Sequence, residues 1–367
     1  MLMKRYYPLL LIAVLPLLVS CKLLNFKKDP KEIFDEQKSG VVLICNEYYY
    51  DITLNNGEHL YFTGIDQNGD IENLTGDEKE VKKSPSILNG TGFFIDKTGR
   101  ILTNRHVVAP EVDKATVKQN INAFLGGFTE YINSLQEEMQ KRYQAIQEYA
   151  QQSLVQDDWG NIYTNLSDSE VASLRQEAAD LEEQFEEAED LKDAIRSNIL
   201  NDNFSVQLHS HFGIAYDGSN VNSWDDFMKR PCTLLRVSPD ANSDLALLQL
   251  NSKQTPGNSY IYDLSSYDVK NDDKLEINQN VYMIGYNHGV QLAKTNNGIR
   301  AQFTSGTITQ QPDGTRVTYS IPAMQGSSGS PIVDDWGRLV AINFAGSNGS
   351  DNFNFGIPLM RVRTFLK

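Results

Sequence analysis

Three cysteines in 367 residues are too few for a fold held mainly by disulfides. Beyond Cys21 only Cys45 and Cys232 remain, and they are either a distant pair joined in an oxidising compartment or two buried thiols. No second Cys or His stands beside either at Cys-x-x-Cys spacing, so no metal site is expected. Positive charge is also short: 33 Lys and Arg face 48 Asp and Glu, a net charge of −15 that excludes a nucleic-acid-seeking surface. Long apolar runs are missing, apart from Leu9–Val19, and that one is too short to cross a bilayer. Internal repeats and low-complexity tracts are absent as well. What is there is ordinary globular material, 40% hydrophobic and 22% charged, long enough for one large or two modest cores.

The first twenty residues differ from the rest. Lys4 and Arg5 precede the Leu9–Val19 run, as in a secretory signal. Its ending, Leu18-Val19-Ser20-Cys21, resembles a bacterial lipobox. That resemblance implies a signal peptide over 1–20, lipidation of Cys21, and a Lys-rich tether over 21–38. Losing residues 1–20 removes Lys4 and Arg5 and no acid, which leaves a mature charge of about −17. The expected location is the bacterial cell envelope, lipid-anchored, facing periplasm or exterior. Lys22 after the lipidated Cys, in place of an inner-membrane Asp signal, points to the outer membrane.

From Val41 onward, short β-rich runs alternate with Gly, Asn and Asp: Val41–Cys45, Gly92–Ile95, Ile101–Thr103, Thr233–Val237, Leu245–Leu250, Val281–Ile284 and Leu339–Phe344. Such runs predict an all-β barrel or sandwich. Residues 111–203 break the pattern. Phe128, Ile132, Leu135, Met139, Tyr143 and Ile146 recur at spacings of three and four, as do Val171, Leu174, Ala178, Leu181, Phe185, Ala188, Ile195 and Ile199. Ser167 and Glu170 form a capping box before the second series, and Trp159-Gly160-Asn161 lies in the break between them. The prediction is an antiparallel hairpin of two helices, each about 45 Å long, inserted into a β protein. Between Ser167 and Ile199 eleven acids face three bases. That face reads as a solvated surface that keeps the hairpin soluble, or as a docking site for a basic protein partner.

Three further segments carry chemistry. Gly90-Thr91-Gly92-Phe93-Phe94-Ile95 and Ile101–Thr103 make a hairpin, with His106 just beyond it in Thr103-Asn104-Arg105-His106-Val107-Val108. Ser243-Asp244-Leu245-Ala246-Leu247-Leu248 leads an Asp into a strand, and Gln325-Gly326-Ser327-Ser328-Gly329-Ser330-Pro331 is a Gly/Ser loop before another. Singly each is a turn. Together, in this order, they resemble the trypsin-like serine peptidases, of the HtrA-type and glutamyl-endopeptidase branches. The resemblance covers about 88–110 and 205–367, including Val281–Tyr286 and Asn354–Pro358, and leaves the hairpin outside.

The resemblance implies a mainly β fold of two six-stranded barrels with the helical hairpin inserted. Residues 39–110 and 204–255 would form the first barrel, 111–203 the hairpin and 256–367 the second barrel. No PDZ segment is expected after the closing strand. It also implies a serine endopeptidase, needing no cofactor and no metal and acting on protein or peptide substrates. In that scheme His106 is the base, Asp244 its orienting acid and Ser328 the nucleophile, with N–H groups of Gly326 and Ser328 forming the oxyanion hole. Pro322, Ala323, Asn343, Phe344 and Gly346 would line the substrate pocket. No acid stands where a basic-specific pocket needs one, and Asn343 replaces the His of the glutamyl branch, so a neutral side chain is expected there. The hairpin, emerging just after His106, is expected to stand close to the cleft and restrict access or recruit substrates. The competing reading is a membrane-anchored scaffold lipoprotein whose hairpin engages a partner, with the peptidase fold latent.

Overall fold

The structure, a computed structural model, describes residues 27–240, 243–265, 275–346 and 353–367. The signal segment and Cys21 lie outside them. The described residues divide into two compact units: those of 27–48, 86–111 and 210–367 in one, 49–85 and 112–209 in the other.

The first unit holds the β structure. Six strands form one ring: β1 (Val41–Thr53), β2 (Ser86–Phe94), β3 (Arg100–Thr103), β4 (Val206–Tyr216), β5 (Pro231–Val237) and β6 (Ala246–Leu250). Their order is β1-β2-β3-β6-β5-β4, and β4 pairs back on β1 to close the barrel. A second closed barrel uses β7 (Asn280–Gly285), β8 (Gln302–Gln310), β9 (Val317–Tyr319), β10 (Pro331–Asp334), β11 (Leu339–Gly346) and β12 (Asn354–Pro358). Its order, β7-β8-β9-β12-β11-β10, repeats the connectivity of the first. The fold is thus two closed six-stranded barrels with helices inserted, as expected. Closure removes the exposed edges that an open sheet would leave.

Alternation explains the packing. Along β1, Val42 and Ile44 point into a core with Phe94, Ile101, Phe212, Ile214, Ala246 and Leu248. The intervening Val41, Leu43 and Cys45 point into a larger cluster with Val281, Met283, Ile332 and Ile342. β1 is therefore buried on both faces, which accounts for its unbroken Val-Val-Leu-Ile-Cys run. Cys45 and Cys232 are free, buried thiols in different clusters, which settles the open choice between a bridge and two thiols.

In the second unit, α1 (Lys114–Gln152) and α2 (Asp168–Ser197) form the hairpin. Asp113 caps α1 through the Ala115 and Thr116 amides. Ser167 and Glu170 make the expected reciprocal capping box on α2. Cross-helix bonds run antiparallel, Arg142 to Glu177, Tyr143 to Glu182 and Gln136 to Glu189. α1 is longer than expected, with 39 residues spanning about 58 Å. It starts ahead of Phe128 because Val117, Ile121 and Leu125 extend its buried stripe back through Gly126 and Gly127. The break between the helices is a small β-hairpin, Leu154–Gln156 with Ile162–Thr164, carrying Trp159 at its tip. By contacts, residues 49–85 cluster with the hairpin, while His59–Phe62 stays in the sheet of the first barrel. There the end of β1 pairs with His59–Phe62. Among the described residues, no helix is long and apolar enough to cross a membrane.

Candidate active site

Strand β3 delivers the chain to a short helix, Arg105–Val108, that carries His106. Asn46 braces this helix from β1, its amide donating to the Val107 carbonyl at 3.0 Å. Asp244, just ahead of β6, meets His106 twice. Its Oδ1 accepts the His106 backbone N–H at 3.0 Å, and its Oδ2 lies 2.8 Å from the ring Nδ1. The Asp244 carbonyl accepts from the Asn104 amide at 2.9 Å and from Arg105 N–H at 3.1 Å. These four bonds hold Asp244 at φ +36°, a left-handed conformation that Asp tolerates better than most residues. A carboxylate only accepts, so this contact suits the tautomer that donates from Nδ1 and leaves the Nε2 lone pair free. The imidazole is about half exposed while the carboxylate is nearly covered, a base presented to solvent on a buried support.

The loop Gln325–Ser328 has an ordered pattern of peptide planes. The Gln325 carbonyl accepts His288 N–H at 2.6 Å, and the Gly326 carbonyl accepts the Thr91 hydroxyl at 2.7 Å. The Ser327 carbonyl accepts the Asn343 amide at 3.0 Å, and the Ser328 carbonyl accepts Thr91 N–H at 2.8 Å. In a trans peptide, N–H and C=O point opposite ways. With every carbonyl tied to the protein, the N–H groups of Gly326 and Ser328 face away from those ties, and neither donates to a described residue. Two amides unengaged on one loop can receive a developing oxyanion. Gly326 is needed here: its φ is +92°, and a β-carbon would come within 2.5 Å of Tyr286 O and Gly289 N.

His106 and Asp244 are thus brought together directly. Ser328 is half-buried, on a loop seated against the strand pair that leads to His106. Thr91 on β2 holds its carbonyl, and Thr103 Oγ1, three residues before His106, donates to Thr91 O at 2.7 Å. No hydrogen bond joins Ser328 Oγ to His106 among the described residues.

Of the expected pocket residues, Pro322 is exposed and Ala323 and Phe344 are half-buried. Gly346 pairs with Asn354 in the barrel. Asn343 departs from its expected role as a pocket wall. It is 1% exposed, and its amide nitrogen donates to Ser327 O and contacts Ser327 Oγ. Its Oδ1 accepts the Tyr319 hydroxyl at 2.7 Å. Complete burial pushes the Tyr319 pKa well up, so that hydroxyl remains a donor. The Asn343 amide nitrogen is spent on the loop that carries Ser328 and its Oδ1 on Tyr319, so its buried side chain is engaged inside the protein. Sequence reasoning missed Thr91, Tyr319 and a cavity of about 500 Å³ beside Gly326, lined by Asn89, Trp224, His288 and Gln325 among others. The Gly-Thr-Gly run was visible as part of a strand, but nothing local tied it to a loop more than two hundred residues away. Among the described residues, no group of three or more His, Cys, Asp and Glu is placed to hold a metal ion.

Comparison with known proteins agrees with this geometry in part of the chain. Residues 214–342 match the family described as "Trypsin-like peptidase domain", about a third of the sequence, including Asp244 and Ser328 but not His106. No curated protein matches. Among solved structures, the serine endoprotease from Yersinia pestis is similar at 11% identity and a TM-score of 0.43. The alignment covers 93% of this chain and 66% of that one. The chain therefore carries, in two closed six-stranded barrels, a stretch that matches trypsin-like peptidase domains.

Proposed function

We propose that this protein is a serine endopeptidase that hydrolyses peptide bonds of protein substrates through an acyl-enzyme. The observation that carries the reading is the His106–Asp244 pair beside a loop that leaves the Gly326 and Ser328 N–H groups unengaged. Ser328 Oγ attacks the scissile carbonyl and gives its proton to His106 Nε2. Asp244 stabilises the imidazolium, and the two amides hold the oxyanion. Collapse passes the proton to the leaving amine. Water, activated by the same imidazole, then releases the acyl group and restores Ser328. Pro322, Ala323 and Phe344 form the wall that meets the residue before the scissile bond, with no charge to select a charged side chain.

Cys21 lipidation would anchor this activity in the cell envelope, most naturally at the outer membrane, and the hairpin would recruit or restrict protein substrates. A fluorophosphonate probe tests the central claim. Wild-type protein should be labelled at Ser328, and Ser328→Ala should take no label. Absence of label under all conditions would end the enzymatic reading in favour of a scaffold. Excision of residues 113–198 should alter cleavage of folded proteins and spare short peptides; unchanged cleavage of both would remove the hairpin from the mechanism.

A further inference from the structure

We propose that Thr91 is a positioning residue that sets the oxyanion geometry, an inference that rests on the peptidase reading. Thr91 is fully buried in the middle of β2. Its backbone N–H holds the Ser328 carbonyl at 2.8 Å. Its hydroxyl donates to the Gly326 carbonyl at 2.7 Å and accepts Tyr286 N–H, just past β7, at 3.1 Å. One side chain on the first barrel is thereby bonded to both a strand end and the nucleophile loop of the second.

The geometry makes the role specific. The Ser328 N–H belongs to the 327–328 peptide plane, whose carbonyl is held by Asn343. The planes on either side of it carry the Gly326 and Ser328 carbonyls, and Thr91 holds both. The central plane is held at its own carbonyl by Asn343 and by the Ser330 N–H, and Thr91 fixes the two planes between which it hinges, so together they keep the Ser328 N–H aimed toward substrate. The flanking glycines allow the close approach. A β-carbon at Gly90 would strike Val107, beside the catalytic histidine, at 2.5 Å, and one at Gly92 would strike Ile101 at 2.6 Å. Thr91 never touches substrate in this scheme. It acts through the loop, most strongly when charge develops on the carbonyl oxygen, so its loss should fall on kcat and leave KM alone.

The test compares Thr91→Val, which removes the hydroxyl, with Thr91→Ser, which keeps it, by steady-state kinetics on a peptide ester, melting temperature and amide exchange over residues 324–331. Thr91→Val should lower kcat by about tenfold to hundredfold with KM within about twofold, while Thr91→Ser should stay within about threefold of wild type. Exchange at Gly329 and Ser330 N–H should quicken in the valine variant. An unchanged kcat in Thr91→Val overturns the proposal. So does an equal loss of kcat in both variants accompanied by a collapsed melting temperature, which would make Thr91 a packing residue only. Should wild-type protein prove inactive, the peptidase reading fails by itself and exchange decides the rest: unchanged loop exchange in Thr91→Val overturns the role in holding the loop, and faster exchange retains it.

Discussion

Asn343 shows how a residue chosen as a pocket wall becomes a strut once its neighbours are known. Alanine there would take one of two partners from the buried Ser327 carbonyl and from the Tyr319 hydroxyl, which keep the Ser330 N–H and the Phe355 carbonyl, at a cost of about 1–3 kcal/mol. The expected result is a fall in thermal stability and in turnover with the cleavage preference of a peptide library unchanged; a shifted preference would return Asn343 to the pocket. The two cysteines give a second residue-scale prediction. Burial pushes both thiols up to about 12, so the reactive thiolate is scarce near neutrality. Native protein should resist iodoacetamide at about pH 8 and take two labels on Cys45 and Cys232 only after unfolding. Rapid native labelling would contradict the burial. These cysteines were legible as a pair left over, but their fate was not, because their depth depends on strands brought together by folding.

At the scale of elements, local signals were read well. The capping box at Ser167 and Glu170 stands where the spacing placed it, because such a cap is closed by residues three apart. Ser167→Ala should cost about 1 kcal/mol, seen as earlier melting of helical circular dichroism. α1 is longer than the 45 Å expected because Val117, Ile121 and Leu125 carry its buried stripe through Gly126 and Gly127, a pair that by itself disfavours helix. The seven β-rich runs fall in strands, but Val206–Tyr216 and Gln302–Gln310 were not read, because polar and glycine residues interrupt their apolar pattern. The shorter ones at the tip of the hairpin were not read either, as three residues carry too little periodicity to distinguish them from a loop.

The whole molecule responds to pH through its paired carboxylates. Asp226 is held well below the usual carboxylate range, first by the Lys229 ammonium and then by the Asn222 and Ser223 amides. A depressed folded pKa contributes stability that is complete above the unfolded value, near 4, and is lost as pH falls through the folded one. Asp226→Asn should therefore lose less stability than wild type on going from about pH 5 to about pH 3, measured by thermal melts. An identical loss in both would dismiss Asp226 as a contributor.

By itself the amino-acid order determined a β-rich class and the inserted helices, which rest on periodicity, while the double barrel and the grouping of the segments bearing His106, Asp244 and Ser328 came from a resemblance carried by short motifs. Folding alone decided which peptide planes carry free N–H groups, that Asn343 faces inward, and that Thr91 bonds to Gly326 from 235 residues away. The direction of a hydrogen bond is a property of two partners. No pattern along a single stretch of chain contains the second one.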